Sequence, residues 1–279
     1  MTDPATTATT ATTASTRPAA PEPPAGHGLL TGKVVVVTAA AGTGIGFATA
    51  KRCIEEGATV VVSDAHERRL GEAADALAEV PGADGVRPLA VTCNVTVEAE
   101  VQSLYDAAVA EHGRFDVAVN NAGLGGQVDV VDMTDEQWDL VLDVTLTGTF
   151  RCTRAALRHM YARGGGGVIV NNASVLGWRA QAGQAHYAAA KAGVMALTRC
   201  TAVEAAPYGV RINAVSPSLA VHPFLNKVMD DEDLAELARR EVFGRGAEVW
   251  EVANVIAFLA SGYATFMTGE VVSVSSQHP

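Results

Sequence analysis

Tyr187 and Lys191 stand four residues apart in the alanine-rich segment Ala185-His186-Tyr187-Ala188-Ala189-Ala190-Lys191, with Ser174 thirteen residues upstream. Residues i and i+4 share a helix face, so a helix here points the phenol and the ammonium the same way. A free tyrosine titrates near about 10, and proton transfer close to neutral pH calls for a shift of roughly three units, or about 4 kcal/mol. One ammonium about 4 Å away, at an effective dielectric near 20, supplies about that much. The pair therefore reads as a proton-transfer device, with Ser174 as a hydroxyl upstream of it. A solvated Tyr/Lys pair on a helix surface has the same spacing, and only the rest of the chain distinguishes the two.

Such a device needs a rigid frame, and the residues from 33 onward describe one. Short β-branched runs predict strands at 34–38, 59–63, 86–92, 117–119, 168–171, 210–215 and 271–274. Between them, helical periodicity predicts helices from the first glycine turn through Glu56, at 66–79, 97–112 and 138–162, around Tyr187, and at 249–260. Continuous apolar strands separated by helices indicate a parallel sheet covered on both faces. The fold class is α/β: a single Rossmann-like doubly wound sheet, whose ligands bind at the carboxyl ends of the strands. Length and an apolar content of 48% suit one such domain, assigned to residues 29–279. Residues 1–28, rich in Thr, Ala and Pro, have too little apolar surface to offset the entropy of ordering and are expected to form a disordered tail.

Composition also excludes functions. A formal net charge of −11 without long Lys/Arg runs argues against a nucleic-acid partner. Cys53, Cys93, Cys152 and Cys200 are scattered, so neither a metal site nor a disulfide framework is expected, and a reducing compartment is. No stretch reaches about 18 uninterrupted apolar residues, and the N-terminal segment lacks the apolar run of a secretory signal. The expectation is a cytoplasmic protein acting on a small molecule.

The first strand runs into Ala39-Ala40-Ala41-Gly42-Thr43-Gly44-Ile45-Gly46 at the start of a helix. Glycines at such a junction let the backbone approach a pyrophosphate, which the free N–H groups and the positive helix end attract. Asp64 closes the second strand, where a carboxylate can accept both hydroxyls of an adenosine ribose. A 2′-phosphate there would meet like charge costing about 4 kcal/mol at roughly 4 Å. NAD is therefore favoured over NADP, although Arg68 and Arg69 lie close in sequence. Asp64 as a cap of the next helix is the competing reading.

Taken in order, these features resemble the short-chain dehydrogenase/reductase family over residues 30–274: the glycine turn, Asp64, Asn120-Asn121-Ala122-Gly123 after strand four, Ser174, and Tyr187 with Lys191. The resemblance implies an NAD(P)-dependent alcohol dehydrogenase or ketone reductase. Tyr187 would be the general acid/base, Lys191 would lower its pKa and hold the nicotinamide ribose, and Ser174 would bind the substrate oxygen. It also implies cofactor contacts from Gly42, Thr43, Gly44, Ile45, Gly46, Asp64, Asn94, Val95, Asn120, Ala122, Gly123, Pro217, Ala220 and His222, and a homotetramer that pairs the helices carrying Thr145 and Tyr187.

Several positions depart from the family pattern. Ala39 and Ala40 replace a Thr-Gly pair, which is tolerable only if φ stays negative, with Gly42 supplying the lost freedom. Asn94-Val95 replaces Asp-Val beside the adenine, conservatively, since an amide both donates and accepts. Thr145 stands where the family has the Asn that binds a relay water; either the relay is rebuilt through Thr145, or the water shifts, or Thr145 merely packs. His222 either binds the carboxamide, lines the pocket or faces solvent. Ser275-Ser276-Gln277 replaces a terminal Asp-Gly-Gly.

Substrate should meet segments 124–134, 175–184 and 219–244, with Trp178 and Arg179 forming either an apolar and cationic rim or an interface. The turn sequence together with Thr145 is similar to bacterial members acting on polycyclic or acyl-CoA intermediates of steroid and lipid breakdown. The rival functions are an NADPH-dependent 3-oxoacyl thioester reductase and a non-catalytic NAD-binding protein.

Overall fold

Seven strands form one parallel sheet. They are β1 (Val34–Val37), β2 (Thr59–Asp64), β3 (Leu89–Thr92), β4 (Val117–Asn120), β5 (Gly167–Asn172), β6 (Val210–Pro217) and, last in the chain, β9 (Val271–Val274), in the order β3-β2-β1-β4-β5-β6-β9. The computed structural model describes residues 19–221 and 231–276, with Asp231 and Asp233 described in backbone only. β1 and β4 lie at the middle, and all of their residues are buried because helices cover both faces. On one face pack α1 (Ile45–Glu55), α2 (Glu67–Ala78) and α8 (Val249–Ala260); on the other pack α3 (Glu98–His112), α5 (Gly148–Arg163) and α6 (Ala185–Ala205). The strand order reverses between β1 and β4, and ligands of doubly wound sheets bind at the carboxyl ends beside that point.

The predicted elements recur with local corrections. The third strand begins at Leu89 rather than at 86, because Val86 N–H closes a turn onto the Ala83 carbonyl and leaves the valine 68% exposed. The predicted helix 138–162 divides into α4 (Asp135–Leu142), a π-helical turn at Asp143–Thr147, and α5. Thr134 caps α4 with Gln137 in a reciprocal capping box, which explains the earlier start. Besides short 3-10 turns, three elements had no counterpart in the sequence reading: α7 (Asp231–Arg240) and the strands of a small parallel pair, β7 (Ala220–Val221) with β8 (Ala247–Glu248). Among the described residues, no helix is long and apolar enough to cross a membrane.

Contacts with the domain begin ahead of the boundary that composition placed after residue 28. Arg52, 6% exposed, donates to the carbonyls of Pro24 and Ala25 and pairs with the fully buried carboxylate of Glu56. Glu56 Oε2 in turn accepts from the N–H groups of His27 (2.8 Å) and Leu29 (2.9 Å). Burial opposes ionisation of Glu56, but the N–H groups of Leu29 and His27 and the Arg52 charge outweigh it and hold the carboxyl below its usual range. A depressed folded-state pKa stabilises the fold above the unfolded value of about 4.3, and that contribution is lost as the pH falls through the folded value. Removing only the cation strands a buried carboxylate, so Arg52→Met should lower stability by about 3 kcal/mol or more in urea denaturation at pH 7. Arg52→Met combined with Glu56→Gln should recover part of that loss.

Candidate active site at the carboxyl edge of the sheet

The loop from β1 to α1 is built for an anion. Gly44 N-caps α1 in extended backbone, no side chain caps that end, and the first turn contains no acid. Its N–H groups and positive helix end therefore suit a pyrophosphate. A Cβ at Gly42 or Gly44 would meet nothing within 4 Å, so this side of the loop is open. Gly46 differs: a Cβ there would stand 2.2 Å from the Ala39 carbonyl oxygen and 2.5 Å from Asn121 Nδ2. Gly42 does take a positive φ of 86°, but Ala39 does so too, at 52°, contrary to the requirement that it stay negative. The left-handed region costs an L-residue about 1–2 kcal/mol. Asn121 holds that conformation, since its amide donates to the carbonyls of Thr38 (3.2 Å) and Ala39 (3.1 Å).

Asp64 ends β2 beside this loop. Its carboxylate accepts from His66 N–H (2.9 Å) and from Ala41 N–H (3.4 Å), joining the strand end to the glycine turn. His66, not Asp64, is the N-cap of α2. Burial pushes the Asp64 carboxyl up, and the Ala41 N–H and the Arg69 charge only partly offset this. Asn94 uses its side-chain oxygen within its own loop, accepting from Thr96 N–H (3.1 Å) and hydroxyl (2.9 Å). Val95 is buried against the start of α5, where a Cβ on Gly148 would stand 2.6 Å from Val95 Cγ2.

The resemblance implies that Asn120–Gly123 supports the central strand and lines the cofactor site, and Asn120 itself is turned inward, toward the strands. It accepts from Tyr105 hydroxyl (3.4 Å) and donates to Thr153 (3.0 Å) and Asn171 (2.9 Å), while Asn171 donates to Thr198. The neighbouring Asn121, which the sequence reading gave no role of its own, reaches the glycine turn. Asn172, also missed, donates to Asn121 Oδ1 at 2.8 Å. Paired Asn-Asn runs at the ends of two adjacent strands were the available signal, because Asn120 and Asn171 are register partners. Ala122 N–H donates to the Thr38 hydroxyl (3.2 Å), fastening the segment after β4 to the end of β1.

Ser174, Tyr187 and Lys191 come together on this edge. Ser174 is buried and caps the short 3-10 turn Val175–Gly177, accepting from Leu176 N–H at 3.2 Å. Burial raises the Tyr187 phenol above its usual value, and a hydrogen bond with the Ser174 side chain offsets only part of this. Lys191, 3% exposed, is pushed down to about 8 by burial. Its Nζ lies 5.5 Å from the Tyr187 ring centroid and donates to the Asn172 carbonyl at 2.6 Å. The lowering of the phenol pKa expected from the ammonium is not among the influences on it here: Nζ sits over the ring, bound to a carbonyl, and burial sets the direction. The run from Gly123 to Gly126 lies across the pair. A Cβ on Gly123 would come 3.2 Å from Lys191 Nζ, and one on Gly125 would come 3.5 Å from Tyr187 Cδ2.

Of the remaining expected residues, Thr145 lies next to the glycine run over the pair, and Pro217 and Ala220 lie at or just past the end of β6. Thr145 is fully buried in the π turn, and Pro217 ends β6 opposite Val274. Ala220 lies in β7; His222 and Gln277 lie outside the described residues. Ser276 donates through its N–H (3.2 Å) and hydroxyl (2.7 Å) to the buried Glu241, just after α7. Trp178 and Arg179 line an open groove of about 790 Å³ with Val130, Val131, Ala188 and Ala192. Those alanines follow Tyr187 and Lys191 by one residue, about 100° round the helix, so the groove adjoins the reactive face without containing it.

Residues 39–276 match the family model described as enoyl-(acyl carrier protein) reductase. The chain is 66% identical over 255 residues to the (5R,7aS)-5-hydroxy-7a-methyl-1-oxo-2,3,5,6,7,7a-hexahydro-1H-indene-carboxyl-CoA reductase of Mycobacterium tuberculosis, covering 91% of this chain and 96% of that protein. It is 43% identical to the cis-4-hydroxycyclohexanecarboxylate dehydrogenase of Sinomonas cyclohexanicum, covering 87% of this chain and 94% of that one. A crystal structure of a short-chain dehydrogenase from Mycobacterium smegmatis superposes with a TM-score of 0.83 at 60% identity, covering 94% of this chain and 99% of that one. The matched stretch runs through every element of the cleft, from the turn at Ala39 to Ser276, and the chain belongs to the short-chain dehydrogenase/reductase family of oxidoreductases.

Proposed function

We propose that the protein is an NAD-dependent oxidoreductase that interconverts a secondary alcohol and a ketone on a carbocyclic ring bearing a carboxylate or a carboxyl-CoA group. The observation that carries this reading is the convergence of Ser174, Tyr187 and Lys191 on the sheet edge that also holds the open glycine turn. A nicotinamide dinucleotide, when bound, supplies the hydride acceptor or donor. The N–H groups of the turn at Gly42, Thr43 and Gly44 and the start of α1 at Ile45 would hold its pyrophosphate, and Asp64 its adenosine ribose. Ser174 orients the substrate oxygen, and Tyr187 takes a proton from it or returns one. Lys191, held by the Asn172 carbonyl, keeps a positive charge beside the phenol and offers its remaining N–H donors to a ribose.

Support for the substrate class comes from the two relatives, whose names both carry a ring hydroxyl and a carboxyl group. Support for NAD comes from Asp64, which would face a 2′-phosphate with like charge. The second reading is an NADPH-dependent 3-oxoacyl thioester reductase, which reduces the 3-oxo group; the 37% identity to a 3-oxoacyl-[acyl-carrier-protein] reductase of Thermotoga maritima supports its substrate class, and Asp64 counts against its cofactor. We also take the protein to be a cytoplasmic homotetramer, by resemblance for the assembly and from the scattered free cysteines for the compartment.

Three outcomes test this reading. NAD with cyclic secondary alcohols carrying a carboxylate or CoA thioester should yield reduced nicotinamide absorbance, and Tyr187→Phe should lower kcat by about 100-fold or more. No turnover by the wild type, or unchanged turnover in the variant, would sink the proposal. Asp64→Ala should raise the NADP-to-NAD ratio of kcat/KM by about tenfold or more. Because burial raises the phenol pKa, ketone reduction, which needs the protonated phenol, should hold level near neutral pH. Alcohol oxidation should climb as the pH rises toward that value, as initial rates in the two directions would show.

A further inference from the structure

We infer that Thr145 is a positioning residue: it fastens the Gly123–Gly126 run over Tyr187 and Lys191 and carries no proton itself. This rests on the reading above in which Tyr187 and Lys191 perform the chemistry. The side chain is fully buried, in the middle of the π turn Asp143–Thr147, and faces the chain as it leaves β4. A hydroxyl has one proton to donate and lone pairs to accept with. The Thr145 hydroxyl donates to the Leu124 carbonyl at 3.1 Å and accepts from Leu124 N–H at 3.0 Å. Its single proton is thus bound to a carbonyl, which cannot pass a proton on. The Thr145 backbone carbonyl accepts from the Thr149 hydroxyl at 2.7 Å.

What the hydroxyl does hold is the one residue with a side chain in a run of glycines. Gly123 approaches Lys191, Gly125 approaches the Tyr187 ring, and a Cβ on Gly126 would stand 3.2 Å from His186 Nε2. Glycines have wide conformational freedom, so a run of them keeps one path only if something pins it. Among the described residues no strand pairs with Leu124 beyond β4, and Thr145 supplies both the donor and the acceptor that a neighbouring strand would. The Lys191 ammonium is served elsewhere, by the Asn172 carbonyl. A side-chain amide carries two N–H donors and an acceptor oxygen, so an Asn at this position can form the same reciprocal pair with Leu124.

The test compares Thr145→Val, Thr145→Ser and Thr145→Asn by steady-state kinetics and by hydrogen exchange at the Leu124 amide. Thr145→Val should lower kcat by about tenfold or more through misplacement of the reacting groups, leaving the shape of the pH profile of kcat/KM unchanged. Leu124 should lose its protection from exchange in this variant. Thr145→Ser and Thr145→Asn should keep kcat within about threefold of wild type and keep Leu124 protected. Two results would overturn the inference: wild-type kcat with a protected Leu124 in Thr145→Val, or loss of activity with a protected Leu124 in Thr145→Asn, which would make the hydroxyl itself essential. If Thr145→Val does not fold, the Ser and Asn variants decide. A wild type inactive on every alcohol would sink the proposed function, while exchange at Leu124 would still decide the pinning.

Discussion

The amide of Asn121 ties three parts of the protein into one body. It donates to the carbonyls of Thr38 and Ala39 at the end of β1, and its oxygen accepts from Asn172 at the end of β5. Through Asn172, whose carbonyl receives Lys191, the same network reaches α6. The loop that would hold a pyrophosphate and the helix that carries the phenol are thereby referenced to each other through part-buried hydrogen bonds, which hold them more firmly than the same bonds would in open water. The left-handed Ala39 belongs to this arrangement: its strain is tolerated because Asn121 binds its carbonyl and Gly46 leaves room beneath it.

Burial shapes the electrostatics of the cleft as strongly as charge pairing does. Desolvation drives the Tyr187 phenol up, the Lys191 ammonium down and the Asp64 carboxyl up, in each case against the charged form. The partners that offset part of this are the Ala41 N–H and the Arg69 charge for Asp64 and Ser174 for Tyr187, while the Lys191 ammonium donates to the Asn172 carbonyl. A cleft of this kind is tuned by hydrogen bonds that the fold places in advance, which is how oxidoreductases of this architecture leave the hydride chemistry to a cofactor.

The π turn between α4 and α5 is a second local device with long reach. Inserting it into an otherwise continuous helix lets Thr145 face Leu124 while Gly148, immediately after, packs against Val95 in the loop after β3. Such bulges are frequent at functional positions because they re-aim one side chain without ending the helix. Here the re-aimed side chain binds backbone, where a water-binding group was the family expectation.

Much was legible in local pattern. The valine runs at 34–37 and 60–62 can only be interior strands, the helical periods between them require crossovers, and together these determine a parallel doubly wound sheet. That Tyr187 and Lys191 share a helix face follows from spacing alone, because the helical repeat is a property of the backbone. Tertiary structure decided what depends on contacts between distant segments. It set the positive φ of Ala39, which neighbours impose, and the inward turn of Asn120 with the outward reach of Asn121, which strand register decides. It also set how deeply the reactive pair is buried. The four-residue spacing brought the ammonium near, but the burial that raises the phenol and lowers the ammonium, and the Asn172 carbonyl that holds Nζ, are not readable from a linear chain.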